Sequence, residues 1–296
     1  MTGLRELVAA ELAEPVDPRV AAIAAAIAAR YGAAARVVLF YGSCLRERQL
    51  DGLMLDFYLI VSSYREAYGK SWLAAANRLI PPNVFPFAHD GLAAKYAVLS
   101  ADDFRRECTA SARTASVFAR FAQPSRLVWS KDEEARRMAA EAVSLATPTL
   151  LLLTRPMMRA EEAADPLQIW RKAFELTYAA ELRAERSLRA ASIVDADPER
   201  YRRFAEAVGL PDGSCPRSER EAAEARWRRI QRRGKRASVF RLAKASFTFA
   251  GGIDYLAWKI NRHAGTDIKL KAWQRRWPLL AALTLLPRLL RGGAIR

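Results

Sequence analysis

Three residues between positions 42 and 56 have the types and spacing that phosphate chemistry requires. Gly42 and Ser43 form a corner after one apolar run, and Asp56 interrupts a second, LMLDFYLIV, at 53–61. A glycine lets the backbone approach a phosphate closely, and a serine adds a hydroxyl and an amide. A carboxylate beside them would hold Mg²⁺ against the reacting phosphate. We therefore predict nucleotidyl transfer, with Gly42 and Ser43 binding the polyphosphate and Asp56 binding the metal.

The position of Asp56 within an apolar strand has two interpretations. Strand alternation places Asp56, Tyr58 and Ile60 on one face of the strand. A carboxylate in such surroundings is costly unless a cation or hydrogen bonds meet it, which favours a metal site. The alternative is that Asp56 lies at the start of the strand and bonds a loop amide.

Both helices and strands are predicted around these residues and must position them. Apolar spacing and breakers predict helices at 18–31, 65–79 and from 101, and strands at 36–42, 53–61 and 92–100. The last strand contains Lys95. From about residue 132 onward the pattern predicts charged helices and no strand, with breaks around ATPTLLLL, DADPE and VGLPDGSCPRSE. Cys44 is interpreted as a small buried residue rather than a nucleophile.

Four short segments occur in the order found in one enzyme family. They are Tyr41-Gly42-Ser43, the Asp56–Val61 strand, Lys95-Tyr96-Ala97-Val98 and Arg120-Phe121-Ala122-Gln123-Pro124. On these segments the chain resembles the mitochondrial-type phosphatidate cytidylyltransferases, the translocator assembly and maintenance proteins. It differs from that family at three positions, where Cys44 and Ala97 replace glycines and Gln123 replaces a lysine. Tyr58 stands where many nucleotidyltransferases have a second carboxylate.

The resemblance implies a Mg²⁺-dependent reaction in which CTP and phosphatidic acid give CDP-diacylglycerol and pyrophosphate. It implies that Asp56 holds the metal, Ser43 and the Gly42 backbone hold the pyrophosphate, and Lys95 and Arg120 offset phosphate charge. Asp51 is the first candidate for a second metal ligand, with Asp102 and Asp103 behind it. The implied fold is an α/β (α+β) nucleotidyltransferase-like domain with a mixed sheet at 1–130, an all-helical domain at 131–245 and an amphipathic membrane-binding segment at 246–296.

The charge distribution points to an anionic partner for the second half of the chain. The net charge is +16 and most of it lies after residue 150, including nine basic residues in 225–244. Trp258, Trp273 and Trp277 flank leucine-rich turns near the C-terminus, a composition that suits an anionic membrane surface better than nucleic acid. Without a signal peptide or a 20-residue apolar run, we expect a cytoplasmic protein, peripheral on the inner face of the cell membrane.

Two other functions are compatible with the same residues. The fold would serve equally for nucleotidyl transfer to RNA or to a small molecule, or for a membrane-docked relative that has lost catalysis. In the TYAAELRAE segment, Tyr178, Glu181 and Glu185 share one helical stripe, which faces either the active site or solvent. Three cysteines without a C-x-x-C pair and only two histidines argue against a structural zinc site. The sequence leaves the oligomeric state open.

Overall fold

The computed structural model describes residues 3–46, 50–181, 188–211, 213, 215–248 and 271. These residues form an α/β protein whose centre is one five-stranded mixed sheet. The strands are β1 (Ala35–Tyr41), β2 (Met54–Val61), β3 (Asn83–His89), β4 (Leu92–Ser100) and β5 (Ser125–Ser130). Their order is β3-β4-β2-β1-β5, in which β2 and β4 are parallel and the other three neighbouring pairs are antiparallel. Only β2 and its neighbours β1 and β4 are interior strands.

Helices cover both faces of this sheet. Six begin before residue 130: α1 (Leu4–Ala13), α2 (Pro18–Ala29), α3 (Tyr64–Ala67), α4 (Ser71–Leu79), α5 (Ala101–Glu107) and α6 (Phe118–Phe121). Seven described helices follow: α7 (Glu133–Ser144), α8 (Ala146–Thr154), α9 (Ala160–Ala163), α10 (Pro166–Tyr178), α11 (Leu188–Asp195), α12 (Pro198–Val208) and α13 (Arg217–Thr248). No strand occurs among the described residues after 130, as the sequence predicts.

Strand alternation divides the apolar residues of the sheet between two cores. Phe57 and Leu59 of β2 pack against α2 and its Ile23 on one face. Tyr58 and Ile60 belong to the other core, which also includes residues of α5 to α8, α10, α12 and α13. The later helices therefore share a core with one face of the sheet. The domain boundary near residue 130 stays a prediction.

The predicted interior strands are confirmed, whereas the two edge strands of the sheet were not predicted from the sequence. The helix expected at 18–31 is α2, and the strands expected at 36–42, 53–61 and 92–100 are β1, β2 and β4. The helix expected over 65–79 is wrong as one element, because the chain is extended at Tyr68 and divides it into α3 and α4. Cys44 is buried, as expected for a small core residue. The sequence did not predict α1, β3 or β5.

A buried ion pair ties the first helix to the later helices. Arg200 of α12 donates to both carboxylate oxygens of Glu11 on α1, with Nη2 to Oε1 at 3.0 Å. Its Nη1 donates to the carbonyl of Ala122 at 3.2 Å. Both side chains are almost fully buried, at 7% and 10% exposure. Because a planar guanidinium matches a carboxylate with two parallel bonds, this pair fixes the relative position of α1 and α12.

The 32-residue helix α13 passes close to the turn that follows α10, at a glycine. A Cβ built on Gly234 would lie 2.1 Å from the carbonyl oxygen of Ala180, so only glycine permits this approach. Upstream of this glycine, Trp227 is buried and its Nε1 donates to the carbonyl of Leu153 at 2.9 Å. Downstream of it, α13 contacts β3. The predicted membrane segment at 246–296, with its three tryptophans, lies almost entirely outside the described residues.

Candidate active site

Asp56 and Lys95 form an ion pair on the face of the sheet that carries the later helices. They are register partners on the parallel strands β2 and β4. Side chains of such partners point to the same face, and here Lys95 Nζ lies 2.8 Å from Asp56 Oδ1. About a quarter of each side chain is exposed, 23% for Asp56 and 25% for Lys95. Two of the predicted site residues are therefore in contact and accessible to a ligand.

The glycine-serine turn lies beside the same carboxylate. Tyr41, the last residue of β1, is the register partner of Asp56, and Gly42 follows it with φ +100°, a conformation that side chains disfavour. A Cβ on Gly42 would stand 3.5 Å from Asp56 Oδ2. Ser43 is exposed and begins a short 3₁₀ turn, Ser43–Arg46. The structure thus brings Gly42 next to Asp56, with the Ser43 hydroxyl at the surface.

The two oxygens of Asp56 have different surroundings. Oδ1 meets the Lys95 ammonium as an ion pair without the alignment of a regular hydrogen bond. Oδ2 faces the Gly42 turn, 3.5 Å from the position that a Cβ on Gly42 would take. Mg²⁺ is commonly bound through one or two carboxylates together with substrate phosphates and water. Asp56 fits a Mg²⁺ site of this kind in which the protein supplies one carboxylate.

Arg120 lies on the same side of the sheet and is as exposed as Lys95, at 25% of its side chain. Its Nη1 is 3.2 Å from Glu181 Oε1, and the same nitrogen donates to the carbonyl of Ser116. Burial opposes the charge of Arg120, but Glu181, Tyr58 and Tyr41 outweigh burial and raise its pKa well above the usual value. Arg120 is therefore a permanent cation that already has a carboxylate partner.

Two tyrosines lie between Asp56 and Arg120. The rings of Tyr41 and Tyr58 are 5.2 Å apart, and Tyr58 also packs on Phe121 at 5.3 Å. Burial raises the pKa of Tyr41, and the Asp56 carboxylate raises it further, while Arg120 opposes both. Burial likewise raises the pKa of Tyr58, against the charge of Arg120. Both phenols are neutral at physiological pH and are available as hydrogen-bond donors rather than bases.

Two of the other three predicted carboxylates, Asp51 and Asp103, are engaged elsewhere. Asp51 is exposed and pairs with Arg19 of α2 at 3.6 Å, and α2 packs on the sheet face opposite to Asp56. Asp103 accepts from the Tyr64 hydroxyl at 2.5 Å and pairs with Arg106, while its neighbour Asp102 is exposed. Within the described residues there is no group of three or more His, Cys, Asp or Glu side chains suited to a metal ion. A second metal ligand stays a prediction.

From the sequence, Glu181 could be assigned either to the active site or to the solvent-facing surface. It belongs to the stripe that faces either the active site or solvent, and its ion pair with Arg120 shows that it faces the protein interior. Glu185 of the same stripe lies outside the described residues. Arg241 and Ser116, which meet behind Arg120, were not recognised as site residues. Arg241 belongs to the basic stretch at 225–244, but nothing in that pattern distinguishes it from its exposed neighbours.

Comparisons with known proteins give only slight resemblances, and these are to solved structures. No protein-family model and no curated protein matches this chain. Among solved structures, the chain is similar to a nucleotidyltransferase-like protein from Exiguobacterium sibiricum 255-15, with a TM-score of 0.30 and 11% sequence identity. The match covers 93% of this chain and 92% of that one. At this TM-score and identity the likeness is too slight to transfer residues or activity from one protein to the other.

Proposed function

We propose that this protein is a Mg²⁺-dependent nucleotidyltransferase. The observation that carries the proposal is the Asp56–Lys95 ion pair beside the positive-φ turn at Gly42. A carboxylate, a cation and an open backbone turn are the groups that a nucleoside triphosphate with its metal requires. In this arrangement Asp56 holds Mg²⁺, which supplies charge neutralisation on the reacting phosphates when bound. The Gly42 backbone and Ser43 hold the leaving pyrophosphate, and Lys95 offsets the charge of the triphosphate.

For the substrates we propose CTP and phosphatidic acid, giving CDP-diacylglycerol and pyrophosphate. The support is the order of the four sequence segments, together with the basic second half of the chain, which suits an anionic membrane surface. The location that goes with this proposal is cytoplasmic, on the inner face of the cell membrane. No described helix combines the length and the hydropathy needed to cross a bilayer.

An acceptor that is itself a phosphate needs no strong general base in the active site. An oxygen of the acceptor phosphate attacks the α-phosphorus of the nucleotide, and the bond from that phosphorus to the β-phosphate oxygen breaks. The acceptor is already anionic at neutral pH, so positioning and charge neutralisation account for most of the catalysis. The neutral phenols of Tyr41 and Tyr58 agree with this chemistry, because neither has to remove a proton.

A second candidate is a binding protein of the same fold without catalysis. Tyr58 follows Asp56 by two residues on the same strand face, where many nucleotidyltransferases have a second carboxylate. In addition, Lys95 neutralises Asp56 in the ligand-free protein. An activity assay separates the two candidates, because the binding protein would form no product.

The test is formation of CDP-diacylglycerol from labelled CTP and phosphatidic acid in mixed micelles with Mg²⁺. We expect Asp56→Asn to lower the rate by a factor on the order of 10² to 10³, as loss of a group that stabilises transition-state charge does. The matched control is Asp90→Asn, at an exposed aspartate with φ +46°, a conformation that asparagine tolerates. We expect full activity in that control.

Three results would contradict the proposal. Folded wild-type protein that forms no product would exclude this reaction. Equal rates for Asp56→Asn and wild type would exclude Asp56 as the metal ligand. A large loss in Asp90→Asn would show that the assay responds to surface charge rather than to the site.

A further inference from the structure

An arginine-rich pocket opens next to the candidate active site. It has a volume of about 360 Å³ and lies between the end of α4, the stretch 107–114 and the second half of α13. One acidic side chain, Glu107, is among the lining residues. Four arginines line the pocket: Arg113, Arg233, Arg236 and Arg241. The pocket therefore combines a defined cavity with a concentration of positive charge.

Arg241 forms the inner wall of the pocket and is bound by neutral groups. Its Nε donates to the carbonyl of Pro81 at 2.9 Å, its Nη1 to Ser116 Oγ at 2.8 Å and its Nη2 to Thr114 Oγ1 at 3.4 Å. Burial lowers the pKa of this guanidinium, and the more distant Glu181 and Tyr58 offset part of that effect. These three hydrogen-bond acceptors are uncharged, so none of them cancels the charge of the guanidinium.

The acidic residues near the pocket already have partners. Glu107 is buried, pairs with Arg106 at 3.1 Å and accepts from the backbone amide of Arg113 at 3.2 Å. Glu181 is paired with Arg120. In the part of the chain that the structure describes, no carboxylate lies within 4.0 Å of the guanidinium groups of the four lining arginines. Arginine is the side chain best matched to phosphate, because its planar donors bind two oxygens at once.

Two large apolar side chains stand at the same pocket, exposed to solvent. Leu79, at the end of α4, is 74% exposed, and Phe240 of α13 is 57% exposed. They are two of the four large hydrophobic residues that are this exposed among the described residues. Because both line the pocket, they place apolar surface beside its arginines. The ligand that fits this pair of features has an anionic head and an apolar portion.

We propose that this pocket binds the phosphate group of an amphiphilic phosphate ester, with the arginines on the phosphate and Leu79 and Phe240 on the hydrocarbon portion. Ser116 connects the pocket to the active site, because its carbonyl accepts from Arg120 and its hydroxyl contacts Arg241. Use of the pocket to present an acceptor rests on the proposed function. The binding itself does not.

The test measures binding by calorimetry with no nucleotide or Mg²⁺ present. The probes are dioctanoyl phosphatidic acid below its micelle concentration, glycerol 3-phosphate and inorganic phosphate. The pocket variant is Arg113→Gln/Arg236→Gln, at two exposed side chains, and the matched control is Arg105→Gln/Arg232→Gln, which removes the same charge from exposed positions outside the pocket lining.

We expect the pocket variant to bind the lipid phosphate at least tenfold more weakly and the control to stay within about twofold of wild type, because charge-assisted bonds to arginine are lost only in the first. Leu79→Ser is expected to weaken binding of the lipid phosphate and leave that of glycerol 3-phosphate unchanged. Equal loss in both arginine variants, or none in the pocket variant, would overturn the site. Equal affinity for the three probes would overturn the amphiphilic ligand.

The binding result and the activity result are separable. Asp56→Asn should bind the lipid phosphate as wild type does, since Asp56 is not among the residues of the pocket. Binding that depends on Arg113 and Arg236, in a protein without transferase activity, would refute the proposed function and keep the pocket. Activity that is unaffected in the pocket variant would refute the pocket as the acceptor site.

Discussion

The close approach of α13 to Ala180 can be tested through the sign of one stability change. At a solvent-exposed position within a helix, Gly→Ala should stabilise the protein by about 1 kcal/mol, because alanine has the higher helix propensity. In this structure the added methyl would lie 2.1 Å from a backbone carbonyl oxygen and 3.2 Å from its carbon. Ordinary contacts between such atoms are longer by about 1 Å, so one of the two segments has to move.

The size of the stability change depends on how easily the carbonyl group of Ala180 can move away from the added methyl. Overpacking a filled interior costs about 1–3 kcal/mol, and a carbonyl within a chain turn has less freedom to move than a side chain. Taking the upper part of that range against the gain in propensity, we expect Gly234→Ala to destabilise the protein by about 2 kcal/mol. The midpoint of urea unfolding, followed by circular dichroism, measures this change.

The matched control is the neighbouring position on the same helix. Lys235 is exposed, so Lys235→Ala and Lys235→Gly differ in propensity without a packing term. We expect the alanine variant to be the more stable by about 1 kcal/mol. If Gly234→Ala instead stabilised the protein by the margin seen at position 235, α13 would not approach Ala180 this closely.

Two further predictions concern buried groups elsewhere in the fold. Glu11→Gln leaves the guanidinium of Arg200 buried without its countercharge, and we expect a loss of about 3–5 kcal/mol in urea unfolding. Asp195→Asn, in an ion pair whose aspartate is 54% exposed, should cost under about 1 kcal/mol, and equal shifts would contradict this account. Burial raises the pKa of the Cys108 thiol, which lowers its thiolate fraction at any pH below that value. Peptide mapping after iodoacetamide treatment at pH 8 should therefore show Cys215, which is partly exposed, modified before Cys108, and the reverse order would refute the placement of Cys108 in the core.

The sequence predicted the interior of the sheet and missed its edges for a physical reason. Interior strands are buried on both faces and appear as continuous apolar runs, as β2 and β4 do. The edge strands β3 and β5 are largely half-exposed and have mixed composition. β3 also contains Pro86, which argues against a strand except at an edge, where a missing amide donor is tolerated.

In the candidate site too, the sequence predicted contacts between residues close in the chain and missed those between distant segments. Gly42 and Asp56 are close in sequence, and strand periodicity was sufficient to place them on adjoining elements. The contact of Asp56 with Lys95 depends on which strands are neighbours and in what register, and no local pattern contains that information. The pairing of Arg120 with Glu181 crosses 61 positions, and Arg241 reaches Ser116 across 125, so both depend on the packing of helices on the sheet.

The Asp56–Lys95 pair also has a thermodynamic consequence for ligands of opposite charge. An anion that draws Lys95 away leaves the carboxylate without its partner, and a cation that binds the carboxylate releases the ammonium. Each ligand thus removes the electrostatic cost that the other creates, so the two bind with positive coupling. By linkage, the factor by which the cation raises the affinity for the anion equals the factor by which the anion raises the affinity for the cation. Replacing Lys95 by a neutral residue would remove its share of the coupling, and a double titration of the two ligands would record a smaller coupling factor than in wild type.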